Sequence, residues 1–455
     1  MTSQRRNAYD ALVIGGGPSG ATAALVLARA GLAVRLVERA DFPRFHIGES
    51  FLPRNLTLIR DLGLEPALRA IPQTDKRGAE FAIGDGRHWR LFPFSLGLGD
   101  DTEAFNIERA PFDAMLLDSA RAAGAEVDVG RAVRRIVKLA DGEVVVALDG
   151  EGEGAGGEEI AARVLIDASG QATVVGKHLG TRRVLPDLKK VAYFAHFDNV
   201  ERRQGLEGGF PTMVMCKEGW FWVIPLDERR TSIGLVMDAE VARQVGVPPN
   251  RMLGWGIQRC PLLRRRTAKS ARPETNLVAA DFTYKCSPYS GPGYFLVGDA
   301  ATFVDPIFST GVCLGMMSAV EAGRGAISML RDGADARPIR RRYNRFVERS
   351  SSPFFRFVRT YYDHSFRELF LHGQGPLAVH RAAISVLAGA VFPRPRFALR
   401  WRLQLFFLLV RLNRYLPLVP RRPRFSLLAA APGDAVAADG EECLWPGAPT
   451  EQASP

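Results

Sequence analysis

The chain has 455 residues and a formal net charge of +11, from 60 Lys and Arg against 49 Asp and Glu, with 47% hydrophobic and 24% charged residues. That balance belongs to a globular protein and excludes collagen-like, disulfide-scaffold and wholly disordered chains. Ten of the 52 arginines fall between Leu369 and Gly433, where no Asp or Glu occurs, so the rest of the chain is within one charge of neutral and nucleic acid is not an expected partner.

Five cysteines (216, 260, 286, 313 and 443) are scattered without CxxC spacing, which argues for a reducing compartment and against a metal site. Arg5 and Arg6 precede an apolar stretch from Ala8 to Leu36, but Gly15, Gly16, Gly17, Pro18 and Gly20 interrupt it, so it reads as fold and not as a signal peptide. Without a run of about 18 apolar residues no spanning helix is expected, and the expected location is cytoplasmic.

In chain order, the first element is a buried strand, Tyr9–Ile14, running into Gly15-Gly16-Gly17-Pro18-Ser19-Gly20, then a helix through Ala30 and a second strand, Ala33–Val37, ending on Glu38. This βαβ unit carries GxGxxG at the turn and an acid about 20 residues beyond, the context of a dinucleotide site. Gly15 permits the tight turn, Gly17 lets a pyrophosphate approach the backbone, Gly20 lets helix and strand pack closely, and Glu38 accepts from ribose hydroxyls. The motif alone does not separate FAD from NAD.

Further along come Gly48-Glu49-Ser50, then Lys76 in a loop beside Arg77, then Arg109 followed by Phe112, Asp113 and an amphipathic helix. Strands are expected over Val144–Leu148 and Ile160–Ile166, joined by a flexible Gly-rich hairpin loop, Gly150–Gly157, and followed by Asp167-Ala168-Ser169-Gly170. Val191–Phe197, Trp220–Leu226 and Ser232–Met237 read as strands of an inserted sheet. Trp220-Phe221-Trp222-Val223-Ile224 has no polar alternation, so a buried strand accounts for it as well as a functional motif does. Leu296–Ala301 contains Gly298-Asp299, and Asp305-Pro306 precedes the helical start Ser309-Thr310-Gly311-Val312.

The chain then turns helical, over Ile339–Val347 and Phe354–Leu371. A helix over Leu399–Leu416 would put Arg400, Gln404, Arg411 and Arg414 on one stripe and apolar residues elsewhere, so it must be buried or lie at a membrane interface. The Ala/Gly/Pro-rich tail is expected to be disordered. The basic segment could serve as a lid, as a dock for an acidic acyl carrier protein, or as a peripheral membrane contact.

Three pieces, Gly298-Asp299 with its following helix, Arg109–Asp113, and Asp167–Gly170, resemble the FAD motifs of the aromatic-hydroxylase flavoproteins. Gly48–Pro53, Trp220-x-Trp222-x-Ile224-Pro225, Asp305–Val312 and Lys76 together resemble the flavin-dependent halogenases, over roughly Tyr9 to Leu330. The resemblance implies an α/β fold: a Rossmann-like FAD-binding domain (8–188 and 283–332), an inserted substrate β-sheet (189–282), a helical basic C-terminal region (333–428) and a tail (429–455). It assigns Gly15, Gly17, Ser19, Gly20, Glu38, Arg39, Ser50, Arg109, Asp299, Pro306, Gly311 and Val312 to FAD, and Thr310 and Gly311 to a halide ion.

The implied chemistry begins with a flavin hydroperoxide, which halide attacks to give hypohalous acid. Lys76 receives it, by a hydrogen bond or as a haloamine, and Trp220, Trp222 and Pro225 wall the substrate off from the flavin. The implied substrate is an electron-rich aromatic of secondary metabolism, phenol-like or carrier-bound. Free tryptophan is not expected, because Phe308 stands where its halogenases carry Glu. No second nucleotide motif is present, so FADH2 is expected from a separate flavin reductase. A non-halogenating monooxygenase, or a dehydrogenase or reductase acting on a polyene or lipid, is the alternative on the same scaffold.

Overall fold

The computed structural model describes residues 9–149, 158–271, 273, 275–280, 283–373, 376–390 and 397–430. The Gly-rich loop at 150–157, the tail from 431, and Arg394 and Arg396 lie outside the described residues. The chain divides into two compact units, one of residues 1–73, 107–188 and 282–355, the other of 74–106, 189–281 and 356–455. Residues 74–106, with Lys76, thus belong with the sheet expected over 189–282 and with the C-terminal helices.

The first unit is built on an eight-stranded, mostly parallel sheet. Its main path runs Ser290–Gly291, Tyr294–Leu296, Glu159–Asp167, Tyr9–Ile14, Val34–Val37 and Glu126–Asp128. The strand Tyr9–Ile14 pairs in parallel on both sides, with Glu159–Asp167 and Val34–Val37, which is why Ala11 to Ile14 form an unbroken buried apolar run. The hairpin Val133–Ala140 and Glu143–Leu148 attaches antiparallel to Glu159–Asp167. Pro18 opens the helix Pro18–Arg29, whose Ala-rich face lets it lie against two others, Gly311–Leu330 and Arg109–Ala122.

The second unit holds a seven-stranded sheet in the order Leu277–Ala280, Lys190–Asp198, Arg230–Asp238, Gly219–Pro225, Thr212–Met215, Gly78–Ile83 and Trp89–Pro93. Thr212–Met215 and Gly78–Ile83 pair in parallel, so Gly78–Ile83, far away in sequence, extends the inserted sheet. On one face Phe221, Val223, Ile233 and Leu235 pack with Leu253, Ile257 and Leu263 of the helices Met252–Arg259 and Pro261–Arg266. Phe370, from the helix His364–His372, contacts Phe81 and Phe92 at centroid distances of 4.8 and 4.4 Å.

The C-terminal helices differ from the sequence expectation in two places. The pieces expected at Ile339–Val347 and from Phe354 are one helix, Ala336–Tyr361, continuous through Pro353. Just before the proline, Ser351 and Ser352 bond their hydroxyls back to the carbonyls of Val347 and Glu348, at 2.9 and 2.7 Å, the local adjustment that accompanies bent helices. Asp363 then starts a new helix by accepting from the amide of Ser365. The last helix is Phe397–Asn413, which starts two residues before the expected Leu399 and ends three before the expected Leu416, so that Arg414 lies beyond its end. Leu399, Leu403, Phe406 and Val410 form its buried face, at the spacing of a helix packed on protein. Among the described residues no helix is long and apolar enough to cross a membrane.

Candidate flavin and halogen-transfer sites

In the first unit the GxGxxG turn has the geometry its residue types require. Gly15 has φ +101°, and a Cβ there would sit 2.3 Å from the carbonyl oxygen of Ala168. At Gly20 a Cβ would fall 1.8 Å from the oxygen of Gly15, so strand and helix touch where only glycine fits. At Gly17 the nearest atom to a Cβ is the Arg44 guanidinium, 3.3 Å away, which leaves the backbone open to a ligand. Glu38 is pinned by the amides of Gly16 and Ala40, which donate to its two carboxylate oxygens at 2.6 and 2.8 Å.

Ser19 has its Oγ wedged between two backbones, 2.4 Å from where a Cβ on Gly298 would lie and 2.3 Å from one on Gly315. It therefore locks the crossing of the first helix with Gly311–Leu330. Gly20→Val should leave the protein without copurifying flavin and lower its thermal midpoint, because a branched side chain cannot fit that contact; flavin absorbance and a melting scan check it. The expected destabilisation is about 1–3 kcal/mol or more.

Three further sequence pieces converge on the same unit. Buried Arg109 donates Nε and Nη2 to the two oxygens of buried Asp113, at 2.7 and 2.9 Å, and Nη1 to the carbonyl of Ile47 at 2.7 Å. A Cβ on Gly48 would lie 3.0 Å from Arg109 Nη1 and 4.0 Å from Val312, so Gly48–Ser50, Arg109 and the start of the last helix of the FAD motif meet. Gly311 lies beside Asp299, whose carboxyl is pushed up to about 6 by burial and held back by Arg109.

Ser309 takes a left-handed backbone, and Pro306–Phe308 forms a single tight turn opened by Asp305, which accepts from the amide of Ile307. Buried Thr310 then precedes the 20-residue helix Gly311–Leu330, which has no side-chain cap, so its first-turn amides carry the partial positive charge of the helix dipole. Arg39 is exposed and, among the described residues, no contact joins it to this group, whereas Ser50 is buried.

Sequence reading missed His46, whose ring nitrogen lies 3.5 Å from Arg109. Desolvation and the neighbouring Arg109 lower its pKa, although the residue reaches the solvent. A lone histidine carries no spacing signal, and only the fold places it. The glycine cradle, pinned Glu38, and the group of Arg109, Asp299 and the uncapped helix lie in one unit and offer the close backbone approach, free amides and buried polar groups that FAD would require.

In the second unit Lys76 ends the strand Gln73–Lys76 and is only 2% exposed, so it is not a solvated loop lysine. Its ammonium lies 5.5 Å from the centre of the Phe94 ring, and burial lowers its pKa to about 7, so neutral amine is available at physiological pH.

Gly219–Pro225 is a buried strand, with Phe221 and Val223 in the core on one face and Trp220 and Trp222 on the other. The two indoles are 5.9 Å apart. Trp222 donates to Ser232 Oγ at 3.1 Å and Trp220 to the Tyr362 hydroxyl at 3.2 Å. Gly234 is glycine because any Cβ would strike Trp222, 2.1 Å away.

Residues 8–345 match the family of FAD binding domains, which makes the chain an FAD-dependent oxidoreductase. Among relatives, it is 32% identical over 335 residues to the 1H-pyrrole-2-carbonyl-[peptidyl-carrier protein] brominase of Pseudoalteromonas luteoviolacea, covering 72% of this chain and 79% of that one. It is 34% identical over 329 residues to the tryptophan 2-halogenase of Chondromyces crocatus, covering 71% of this chain and 62% of that one. The solved structure of the flavin-dependent brominase Bmp2 superposes with a TM-score of 0.77 at 26% identity, over 88% of this chain and 99% of that one. The chain belongs to the flavin-dependent halogenases.

Proposed function

We propose that this enzyme halogenates an electron-rich aromatic ring held on a carrier protein, with Lys76 as the residue that transfers halogen. The observation that carries the reading is the burial of Lys76, which keeps a neutral, nucleophilic amine at neutral pH in the second unit. The carrier-bound substrate is supported by the brominase relative, named for a pyrrole-2-carbonyl group on a peptidyl carrier protein.

With dioxygen, reduced FAD supplies the oxidation of halide to hypohalous acid. The uncapped amides at Thr310–Gly311 are suited to hold the halide. The Lys76 amine attacks the halogen of hypohalous acid, forming an N–halogen bond and releasing water. The aromatic carbon then takes the halogen, and the ring proton returns the amine. Trp220, Trp222 and Pro225 keep the ring and the oxidant-forming step apart, so that halogenation prevails over oxygenation.

Since Gly15–Gly20 is the one GxGxxG of the sequence set between a strand and a helix pattern, reduced flavin is expected from a partner reductase. Purified protein with NADPH and FAD should therefore reduce flavin only at the background rate, followed by loss of flavin absorbance under anaerobic conditions; robust reduction would contradict the assignment. The decisive test supplies a flavin reductase, bromide and a panel of free phenols and carrier-tethered rings. Brominated tethered product by mass spectrometry is expected, and oxygenated product without bromination would overturn the reading.

A further inference from the structure

The second unit contains a cavity of about 690 Å³ that no step above uses. Six cationic side chains line it, Lys217, Arg367, Arg414, Arg421, Arg422 and Arg424, against one lining carboxylate, Asp363. Asp363 is taken by Arg414, whose Nε lies 2.7 Å away. Buried Glu368 accepts from Arg421 at 2.7 Å, from Asn413 at 3.0 Å and from the amide of Arg422 at 3.3 Å. Even with both acids counted, the cavity keeps an excess of four positive charges.

This cluster is held in place. Beyond the arginines, Phe425 sits where a Cβ on Gly84 would be, 2.4 Å from its ring, and its carbonyl accepts from the amide of Lys217 at 2.7 Å. Leu427 is fully buried in the core of the sheet, and its amide donates to Glu218 at 2.9 Å. The segment 421–424 is thus clamped at both ends across the cavity, with Pro423 restricting it further. On the opposite wall Arg367 donates to the carbonyls of Cys216 and Tyr361, at 2.6 and 3.1 Å. Fixed guanidiniums facing a cavity match the oxygens of a phosphate, because each presents a rigid fork of donors.

The cavity also adjoins the tryptophan strand. Tyr362 lines it, and its hydroxyl accepts from the indole of Trp220. A ligand in the cavity therefore touches the residue that props Trp220.

We infer that this cavity receives the phosphodiester of the pantetheine arm of a carrier protein, with the carrier's acidic surface meeting the surrounding arginines. The inference rests on the carrier-bound reading above. It explains why the excess charge is concentrated at a concave site: one phosphodiester contributes a single negative charge, and the acidic carrier surface supplies the rest of the complement.

The test uses the full-length, FAD-loaded protein and a Lys217→Glu, Arg424→Glu double variant, whose two positions are exposed. Calorimetry compares 4′-phosphopantetheine with pantetheine, and a carrier with and without its arm. The wild type should bind the phosphorylated and armed forms preferentially. The variant should bind them at least about tenfold more weakly and lose a similar factor in kcat/KM on tethered rings, with free-ring kcat/KM unchanged. Lys217→Arg with Arg424→Lys should restore most of the binding.

Undiminished tethered turnover in the charge-reversed protein would overturn the cavity's assignment while leaving the carrier reading intact. Equal binding of phosphorylated and dephosphorylated arms, or a defect seen only with phosphatidylglycerol vesicles, would also overturn it. A wild type that halogenates free rings and no tethered ring would instead overturn the carrier reading itself, and the cavity's assignment with it.

Discussion

Lys76→Ala should retain FAD binding, because the residues proposed to hold flavin lie in the other unit, while halogenation falls by at least about a hundredfold, the scale on which a single proton- or group-transferring side chain acts. Retained turnover would remove Lys76 from the chemistry. The pH profile then separates its two modes. Halogen transfer through the neutral amine requires kcat to fall below about pH 7, where Lys76 protonates, and to level off above it. A fall on the alkaline side would mean that the ammonium acts as a hydrogen-bond donor.

Stability gives a readout independent of turnover. The folded pKa lies below the ordinary lysine value of 10.5, so the native state binds fewer protons than the unfolded chain between about 7 and that value. Stability should therefore rise with pH across this window, and the cost of the buried ammonium is fully present below pH 7. Lys76→Met, which keeps the volume and removes the charge, should be more stable than wild type at pH 6 by the order of a few kcal/mol and lose this pH dependence. Denaturant melts at pH 6 and pH 9 measure both.

The second large effect is expected at Arg109. Removing its guanidinium leaves buried Asp113 without its bidentate partner and the carbonyl of Ile47 without its donor. Breaking a buried pair from one side costs about 3–5 kcal/mol. Arg109→Ala should accordingly melt at a much lower denaturant concentration and be isolated without flavin. It should also raise the Asp299 pKa further, since Arg109 is the charge that opposes the effect of burial there. Normal flavin content and an unchanged melt would show that the pair carries no structural load. Arg109→Lys is expected to be intermediate, since an ammonium cannot bridge both oxygens of Asp113 in the same plane.

The parts of this enzyme that could be read from sequence are those in which backbone need and residue type coincide. The glycine turn is one: Gly15 and Gly20 are dictated by a left-handed φ and by a close backbone approach. Strands with strong apolar runs were placed nearly to their ends, Val191–Phe197 against an observed Lys190–Asp198 and Ser232–Met237 against Arg230–Asp238. Arg109–Asp113 is legible only as a resemblance to a flavoprotein motif; the pairing of its two ends, four residues apart on one helix, is seen in the structure.

Other features depend on residues far apart in the chain. Trp220 and Tyr362 meet across 142 positions, and Glu80 and Arg266 across 186. The polar local sequence, Asp75-Lys76-Arg77, leaves a solvated loop lysine as an alternative to a reactive one; the burial of Lys76 arises from the tertiary structure. The segment after Asn413 was read as helix because its composition continues the apolar-and-arginine pattern. Asn413 itself ends the helix, its side chain accepting from the amide of Leu418 and donating to Glu368, a choice no periodicity records.

The threading of the chain bears on how the enzyme is made. Leu427 completes a core begun by Ala82 and continued by Val191, so the second unit cannot be finished until synthesis has passed Leu427. The first unit faces the same delay, since its central strand Glu159–Asp167 waits for the partner Tyr294–Leu296. Both units therefore pass through a long interval with apolar strands exposed, the circumstance in which chains of this size aggregate or engage chaperones. Variants shortened at the basic end, an obvious way to lower the net charge, should express as insoluble protein when the cut falls before Leu427, and recombinant yield should improve at low temperature or with chaperone coexpression.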